Sequence, residues 1–358
     1  MVWPRPRDVE SYIRQDKLRI LHYGLGPLGA EVARLVASHH DLEVIGAIDA
    51  RAGLFGRDLG EAAAIGRNLG IPVSYDPSAL LNDFYADVVI HTSDESLTQV
   101  YPELLNILNA EKNVIATCPE LVYPGYQLGE IGRRLDQTAR EKGVRILGVG
   151  FDPGLALLST AILLAIGSQR LQSVHIERAF DPAERDLEAQ RRAGLGLTPA
   201  GFEKAMSSGD LGSRGLEEAA ALIAETLGWQ LERIVASAEP VLARERLRTE
   251  FYSVDRGDVA GMRQSVRGIA AGREVIQIDV EASLQPKQRR DLVHIEGTPS
   301  LEIAVPGGLG GLEAAAAAIV NTLPTVADQR MPVGLISIKD LPLTPYLKPS
   351  QRRREEPL

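Results

Sequence analysis

The amino-acid pattern predicts an α/β fold: a doubly wound parallel sheet, followed by a second α+β domain that contains an antiparallel sheet. Three observations predict it. From Leu18 to about Gly150, short apolar runs alternate with helical patterns in the βαβ rhythm. Within that rhythm, Gly24-Leu25-Gly26-Pro27-Leu28-Gly29 joins a strand-like run to a helical one. Beyond Gly150 the rhythm breaks, and two-residue alternation appears, cleanest in Val275-Ile276-Gln277-Ile278-Asp279-Val280-Glu281. The first part is therefore read as Rossmann-type.

The expected strands of the first domain are Arg19-Tyr23, Glu43-Ile48, Val88-His91, Asn113-Ala116 and Arg145-Gly148. They are short apolar runs, as strands covered on both faces should be. The expected helices between them are Gly29-Ser38, Pro77-Asn82, Ser96-Ala110 and Gln127-Lys142. After a turn at Phe151-Asp152-Pro153-Gly154 comes a mostly apolar helix, Leu155 to Ile166, then a strand, Ser173 to Ala179. A charged stretch, Asp181 to Arg192, precedes a helix start at Thr198-Pro199, with Thr198 as N-cap. Leu216, Ala219, Ala220, Ile223 and Leu227 carry helical spacing, closed by Gly228. Arg248 to Ile303 reads as alternating antiparallel strands with turns at Gly257-Asp258 and Ala271-Gly272, and a final helix spans Leu312 to Leu323. The domain plan is an extension (1–16), the dinucleotide-type domain (17–150), a substrate and dimerisation domain (151–311), a returning helix and segment (312–341) and a tail (342–358). No internal repeat is visible.

Composition bounds the function. The 358 residues suffice for two domains, and 44% hydrophobic with 24% charged residues is the balance of a soluble globular protein. A net charge of −9, with no basic block except Arg352-Arg353-Arg354, argues against nucleic-acid binding. The single cysteine, Cys118, excludes an intrachain disulfide framework and fits a reducing compartment. No apolar run reaches membrane-span length, and Met1 to Asp16 lacks the apolar core of a signal peptide, so a cytoplasmic protein without a membrane partner is expected.

The glycine motif carries the cofactor argument. Its first glycine allows a tight turn, its second lets backbone approach a pyrophosphate, and its third lets helix and strand pack closely. The phosphates then meet unpaired N–H groups at a helix start. Roughly 20 residues on, Asp49 ends the second strand, where a carboxylate accepts the adenosine ribose hydroxyls. Arg51 and Arg57 nearby are suited to hold a 2′-phosphate. The cofactor is thus NAD or NADP, with NAD slightly favoured. His91-Thr92-Ser93 and Thr117-Cys118 lie at later strand ends and complete the expected cofactor contacts. Glu120 is the candidate acid/base, since a carboxylate partly desolvated beside a cofactor is drawn toward the working range of such a group. Asp152, in Gly148-Val149-Gly150-Phe151-Asp152-Pro153-Gly154, is a second candidate. Phe151, Arg178, Phe180, Met206 and Asn321 are expected, from position, to line the substrate pocket.

Several motifs together resemble the 2,4-diaminopentanoate dehydrogenases and related native amine dehydrogenases, which share a dihydrodipicolinate-reductase-like N-terminal domain. They are GLGPLG (Gly24-Gly29), GRDLGE (Gly56-Glu61), ADVVIHTS (Ala86-Ser93), TCPELVYP (Thr117-Pro124), GVGFDPG (Gly148-Gly154), GLGLTPAGFE (Gly194-Glu203), IEGTP (Ile295-Pro299), PGGLGG (Pro306-Gly311) and KDLP (Lys339-Pro342). The resemblance runs from about Leu18 to Leu343. It implies a homodimer and NAD(P)-dependent oxidative deamination of an amine, reversible as reductive amination of a ketone with ammonia, with no metal. In that reaction the ammonium is first deprotonated, hydride moves to nicotinamide C4, and water displaces ammonia from the resulting iminium. A glutamate serves as base and stabilises the iminium. The chain departs from the family pattern at three places. Pro119 replaces the first of two adjacent glutamates, Asp152 replaces an asparagine, and Gly310 and Leu312 stand where His and Asp are frequent. The alternative functions are a C=N or C=O reductase on the same fold, or a cofactor-binding protein without turnover.

Overall fold

The computed structural model describes residues 17–93, 96–150, 154–309 and 311–342. The first unit runs β1 (Leu18–Tyr23), α1 (Pro27–Ser38), β2 (Leu42–Ile48), α2 (Leu59–Ala62), β3 (Val73–Ser74), α3 (Pro77–Asp83), β4 (Val88–His91), α4 (Leu97–Asn109), β5 (Asn113–Ala116), α5 (Gly129–Lys142) and β6 (Arg145–Gly148). Every pairing among these strands is parallel, in the order β3-β2-β1-β4-β5-β6. That order reverses between β1 and β4, which is where an open α/β sheet binds a ligand beyond its carboxyl ends. Every residue of β4 and β6 is buried, because helices cover both faces of the sheet.

The second unit begins with α6 (Leu155–Ala165) and continues through β7 (Ser173–Phe180), α7 (Leu187–Arg192), α8 (Pro199–Ser207), α9 (Leu216–Thr226), β8 (Arg233–Leu242), β9 (Leu247–Arg248), β10 (Ser253–Val254), β11 (Val259–Ala270), β12 (Arg273–Ser283), β13 (Arg290–Glu296) and β14 (Leu301–Pro306). Its six-stranded sheet has the order β14-β13-β7-β12-β11-β8. The expected antiparallel sheet needs one correction: β7 and β12 pair in parallel, from Val174 opposite Ile276 to Phe180 opposite Ala282. The long excursion through α7, α8, α9 and the β11–β12 hairpin returns the chain beside β7 in the same direction. The hairpin itself turns at Ala271 (φ 49°) and Gly272 (φ 70°), two left-handed residues whose twist matches the flanking strands.

The chain then returns to the first sheet. Helix α10 (Gly311–Ala327) packs across α1, and β15 (Gly334–Ile336) adds in parallel beside β6 as the seventh strand. The mostly apolar α6 sits between α9, α10 and β13. One apolar cluster runs through all of these layers, with Ile20, Ile90 and Leu147 on one sheet, Leu158 on α6, and Ile176 and Ile276 on the other. The two units therefore share a continuous core, which fixes the cleft between them. No helix among the described residues is long and apolar enough to cross a membrane.

Candidate active site

The fingerprint loop leaves β1 at Gly24, whose φ of +97° suits only glycine. A Cβ at Gly24 would collide with the Thr92 carbonyl, and one at Gly29 would lie 2.5 Å from Thr92 Oγ1 and closer still to the Gly24 carbonyl oxygen. Thr92 fastens this arrangement from β4: its N–H donates to the Tyr23 carbonyl at 2.8 Å, and its hydroxyl donates to the Gly24 carbonyl at 2.7 Å. Around Gly26, in contrast, a Cβ would meet nothing within 4 Å. The first turn of α1 faces that open side, and its Leu28 and Gly29 N–H groups have no carbonyl one turn back to bond. This is a fit for a pyrophosphate: open space at the glycine that must be bare, and helix-start donors beside it.

Asp49 follows β2. Its Oδ2 accepts the Leu25 N–H at 2.7 Å, which ties the fingerprint loop to the end of the neighbouring strand. Arg51 grips the same carboxylate through its own N–H at 2.9 Å and through Nε and Nη2 at 2.8 and 2.9 Å. Burial opposes a charge on Asp49, but the Arg51 donors and the Leu25 N–H outweigh it and hold the carboxyl below the usual carboxylate range. The Asp49 side chain is only 7% exposed and that of Arg51 57%, so the guanidinium is the outer partner.

The ends of β4 and β5 are laced together, with Thr117 Oγ1 donating to the Ser93 carbonyl at 3.0 Å. Thr92, Ser93 and Thr117 line a cavity of about 280 Å³ with Gly26, Pro27, Leu28 and Gly29. Its far wall comes from the second unit, with Phe180 on β7, Met262 and Gln264 on β11 and Ala282 on β12. Arg185 stacks on Phe180 with its guanidinium carbon 4.1 Å from the ring centroid. The 212–214 loop closes the cavity and is pinned twice. Gln264 accepts the Ser213 N–H at 2.6 Å and donates to its carbonyl at 3.1 Å, and Arg192 Nε donates to the Gly212 carbonyl at 3.0 Å. A neighbouring cavity of about 430 Å³ shares Phe180, Arg185 and Leu312 with the first.

The second half of the chain decides the family. Residues 155–356 match the 2,4-diaminopentanoate dehydrogenase C-terminal domain. The chain belongs to the 2,4-diaminopentanoate dehydrogenase family. Residues 18–118 match the dihydrodipicolinate reductase N-terminus. A 2,4-diaminopentanoate dehydrogenase of Acetoanaerobium sticklandii is 26% identical over 339 residues, covering 92% of this chain and 94% of the relative. An amine dehydrogenase of Streptomyces virginiae is 23% identical over 355 residues, covering 91% and 96%. The solved amine dehydrogenase of Mycobacterium smegmatis shares the fold, with a TM-score of 0.83 at 21% identity, covering 93% of this chain and 98% of that one. Membership places the chain among NAD(P)-dependent oxidoreductases that act on amines.

Within this member of the family, several expected residues stand elsewhere than the sequence suggested. His91 is buried and does not line the cavity; its Nε2 bonds Glu103 at 2.7 Å and its ring lies against Tyr23. It is a packing residue because its side chain leaves the sheet toward α4. Cys118 is likewise fully buried, and its Sγ donates to Glu120 Oε2 at 3.4 Å. Burial, then the Glu120 carboxylate, pushes its thiol well up, so no reactive thiolate is held there. Pro119 lines the cavity, and Glu120 stands one residue behind it, half-buried on a 3-10 turn, Pro119–Val122. Arg178 lines the neighbouring cavity, its Nε 3.7 Å from Asp291. Met206 packs into the Phe202, Leu211, Val259 and Met262 cluster, and Met262 takes the cavity position instead. Asn321 lies on α10, outside the lining of both cavities. Phe180 is in place. Phe151, Asp152 and Gly310 lie outside the described residues.

Sequence reasoning missed the α7 side of the cavity. Arg185, Asp186 and Arg192 come from the charged stretch Asp181 to Arg192, where Asp186 has the signature of an N-cap and accepts the Ala189 N–H at 2.8 Å. Gln264 carried a signal: it is a polar residue between Met262 and Val266, both buried in an alternating strand.

Proposed function

We propose that the protein catalyses reversible oxidative deamination of a small aliphatic amine or amino-acid derivative, with NAD as the preferred acceptor and a homodimer as the assembly. The carrying observation is the shared cavity, which sets the fingerprint loop and Thr117 against Phe180, Met262 and Gln264 of the second unit. A nicotinamide cofactor, held by these residues, would supply the hydride acceptor. The chain's own residues then have defined tasks. Leu28 and Gly29 hold the pyrophosphate through N–H groups, and Asp49 takes the adenosine ribose. Phe180 and Met262 exclude water from the substrate carbon. Glu120 removes the proton from the substrate ammonium, without which the nitrogen has no lone pair to assist hydride loss. Once that proton has passed on to solvent, the restored carboxylate favours the cationic carbon–nitrogen double bond that forms.

NAD is preferred because a 2′-phosphate would approach the anionic Asp49, while Arg51 is already engaged by that carboxylate. The test is NADH formation by the full chain with a panel of primary amines, 2,4-diaminopentanoate included, at alkaline pH. Amine-dependent reduction of NAD+ that is lost in Glu120→Gln, with cofactor binding retained, supports the assignment. Wild-type turnover in that variant overturns the role of Glu120.

A further inference from the structure

A second carboxyl, that of Glu218, lies beside the turn that carries Glu120. Helix α9 starts where the cavity ends: Gly212, Ser213 and Arg214 line the cavity, and Gly215 follows with φ +77°. At Gly215 the helix start is pressed onto the Pro119–Val122 turn so closely that a Cβ would lie 2.7 Å from the Pro119 carbonyl oxygen. Glu218 sits in the first turn of α9 and is 3% exposed. Its own backbone N–H is the donor its carboxyl has; among the described residues no other side chain hydrogen-bonds or ion-pairs with it.

The groups facing Glu218 make its isolation plain. Glu120 on the 3-10 turn and Glu217 on the same helix both act on it with negative charge, and the Tyr126 phenol lies within reach of its field. Glu225, two turns along α9, is engaged by Tyr123 and Lys339. The other faces of α9 meet α6, β8, β11 and β12 through an apolar cluster that includes Leu158, Ile234, Val266 and Ile276. A buried carboxyl with carboxylates for neighbours, on which no cation among the described residues acts, is most stable when it keeps its proton.

Building on the amine-dehydrogenase activity proposed above, we propose that Glu218 is the positioning partner of Glu120, a buried carboxyl whose gain or loss of a proton sets the charge beside the turn that carries Glu120. Glu218 touches no substrate. While it is protonated, the pair carries one negative charge. When it ionises, the site carries two, and Glu120 draws the substrate ammonium and its proton more strongly. The step is a simple exchange: the ammonium N–H bond breaks, the proton goes to a Glu120 oxygen, and the amine keeps the electron pair. Glu218 brings a second carboxyl to the Pro119–Val122 turn from the opposite unit.

The test uses the full chain with NAD+ bound and has two readouts. Infrared titration from pH 5 to 9 should show a carboxylic-acid band that disappears near neutrality, absent in Glu218→Gln. In Glu120→Gln the band's midpoint should fall by about one pH unit, a tenfold change in proton affinity. Oxidation of 2,4-diaminopentanoate should show kcat/KM rising about tenfold across neutrality in the wild type and flat in Glu218→Gln, with NAD+ affinity unchanged. A band that survives Glu218→Gln, or a midpoint unmoved by Glu120→Gln, overturns the pairing. A neutral-pH rise retained in Glu218→Gln overturns its effect on the reaction. The infrared arms need no turnover, so a wrong substrate class does not masquerade as a wrong pairing.

Discussion

Replacing Asp49 by Asn should turn cofactor preference from NAD toward NADP. The carboxylate accepts four hydrogen bonds, one from Leu25 and three from Arg51. Asparagine keeps the shape and one acceptor oxygen, enough for Leu25 N–H, so the fingerprint loop stays anchored. It loses the charge and sets an NH2 group against one guanidinium donor, so Arg51 is loosened. For a 2′-phosphate of charge near −2 at roughly 5 Å from Asp49, repulsion at an effective dielectric of about 60 is about 2 kcal/mol, and it vanishes in the variant. The loosened and exposed Arg51 adds about 1 kcal/mol of attraction, a value suited to a solvated pair. NAD loses a charged acceptor for its ribose hydroxyl, which costs about 1 kcal/mol. Together these change the NADP-to-NAD affinity ratio by about 4 kcal/mol, or roughly 500- to 1000-fold. Intrinsic fluorescence titration of wild type and variant with each cofactor measures the ratio. A ratio that moves less than about tenfold refutes the placement of the ribose at Asp49.

Other outcomes follow from the same geometry. Gly29→Ala drives a methyl into the Gly24 carbonyl and Thr92; overpacking of this kind costs about 1–3 kcal/mol and should lower Tm by several degrees while weakening NAD+ binding at least tenfold. Glu120→Gln should lower kcat for amine oxidation by about 100- to 10,000-fold, the usual worth of a general base, with the dissociation constant for NAD+ within about threefold of wild type. Glu218→Gln should stabilise the protein in a pH-dependent way. Burial first, and then Glu120 and Glu217, raise the Glu218 carboxyl to about 7 from an ordinary 4.5. Below the ordinary value both folded and unfolded chains hold the proton, so the variant gains nothing. Between the two values the unfolded chain releases the proton and the folded one keeps it, so wild-type stability falls as pH rises and levels off above about 7. The gain at pH 8 is of the order of 3 kcal/mol, read as a Tm difference of a few degrees that is absent at pH 4.5.

Much of the first unit was legible because local pattern and burial coincide there. Val88–His91 and Arg145–Gly148 are short apolar strands buried on both faces, and no partner far along the chain is needed to recognise them. Strand β8 was not expected as such, since Arg233–Leu242 is mostly solvent-facing and carries Pro240. Strand β15 has only three residues, and its place is fixed by β6, far away in sequence. The parallel pairing of β7 with β12 is a property of the whole excursion between them, which no window of sequence contains. The site divides the same way. Gly24, Gly29, Asp49 and Thr92 act through neighbours one strand away, and motif spacing reports them. Asp291 is brought opposite Arg178 by sheet register, and Gln264 meets Ser213 only because the 212–214 loop folds onto β11. Glu218 was hidden by its own helix: Leu216, Ala219, Ala220 and Ile223 declare the apolar stripe, and only the packing of α9 onto the Pro119–Val122 turn buries the acid beside them.

The proposed reaction interconverts an amine and a ketone at the expense of a nicotinamide cofactor. The most direct measurement is NADH consumption by the full chain with a panel of small ketones and keto acids, with and without ammonia, and with the products identified. Consumption is expected only when ammonia is present, with a primary amine formed in equal amount. Ketone reduction to an alcohol at the same rate without ammonia, or NADH binding with no turnover on any of them, would contradict it.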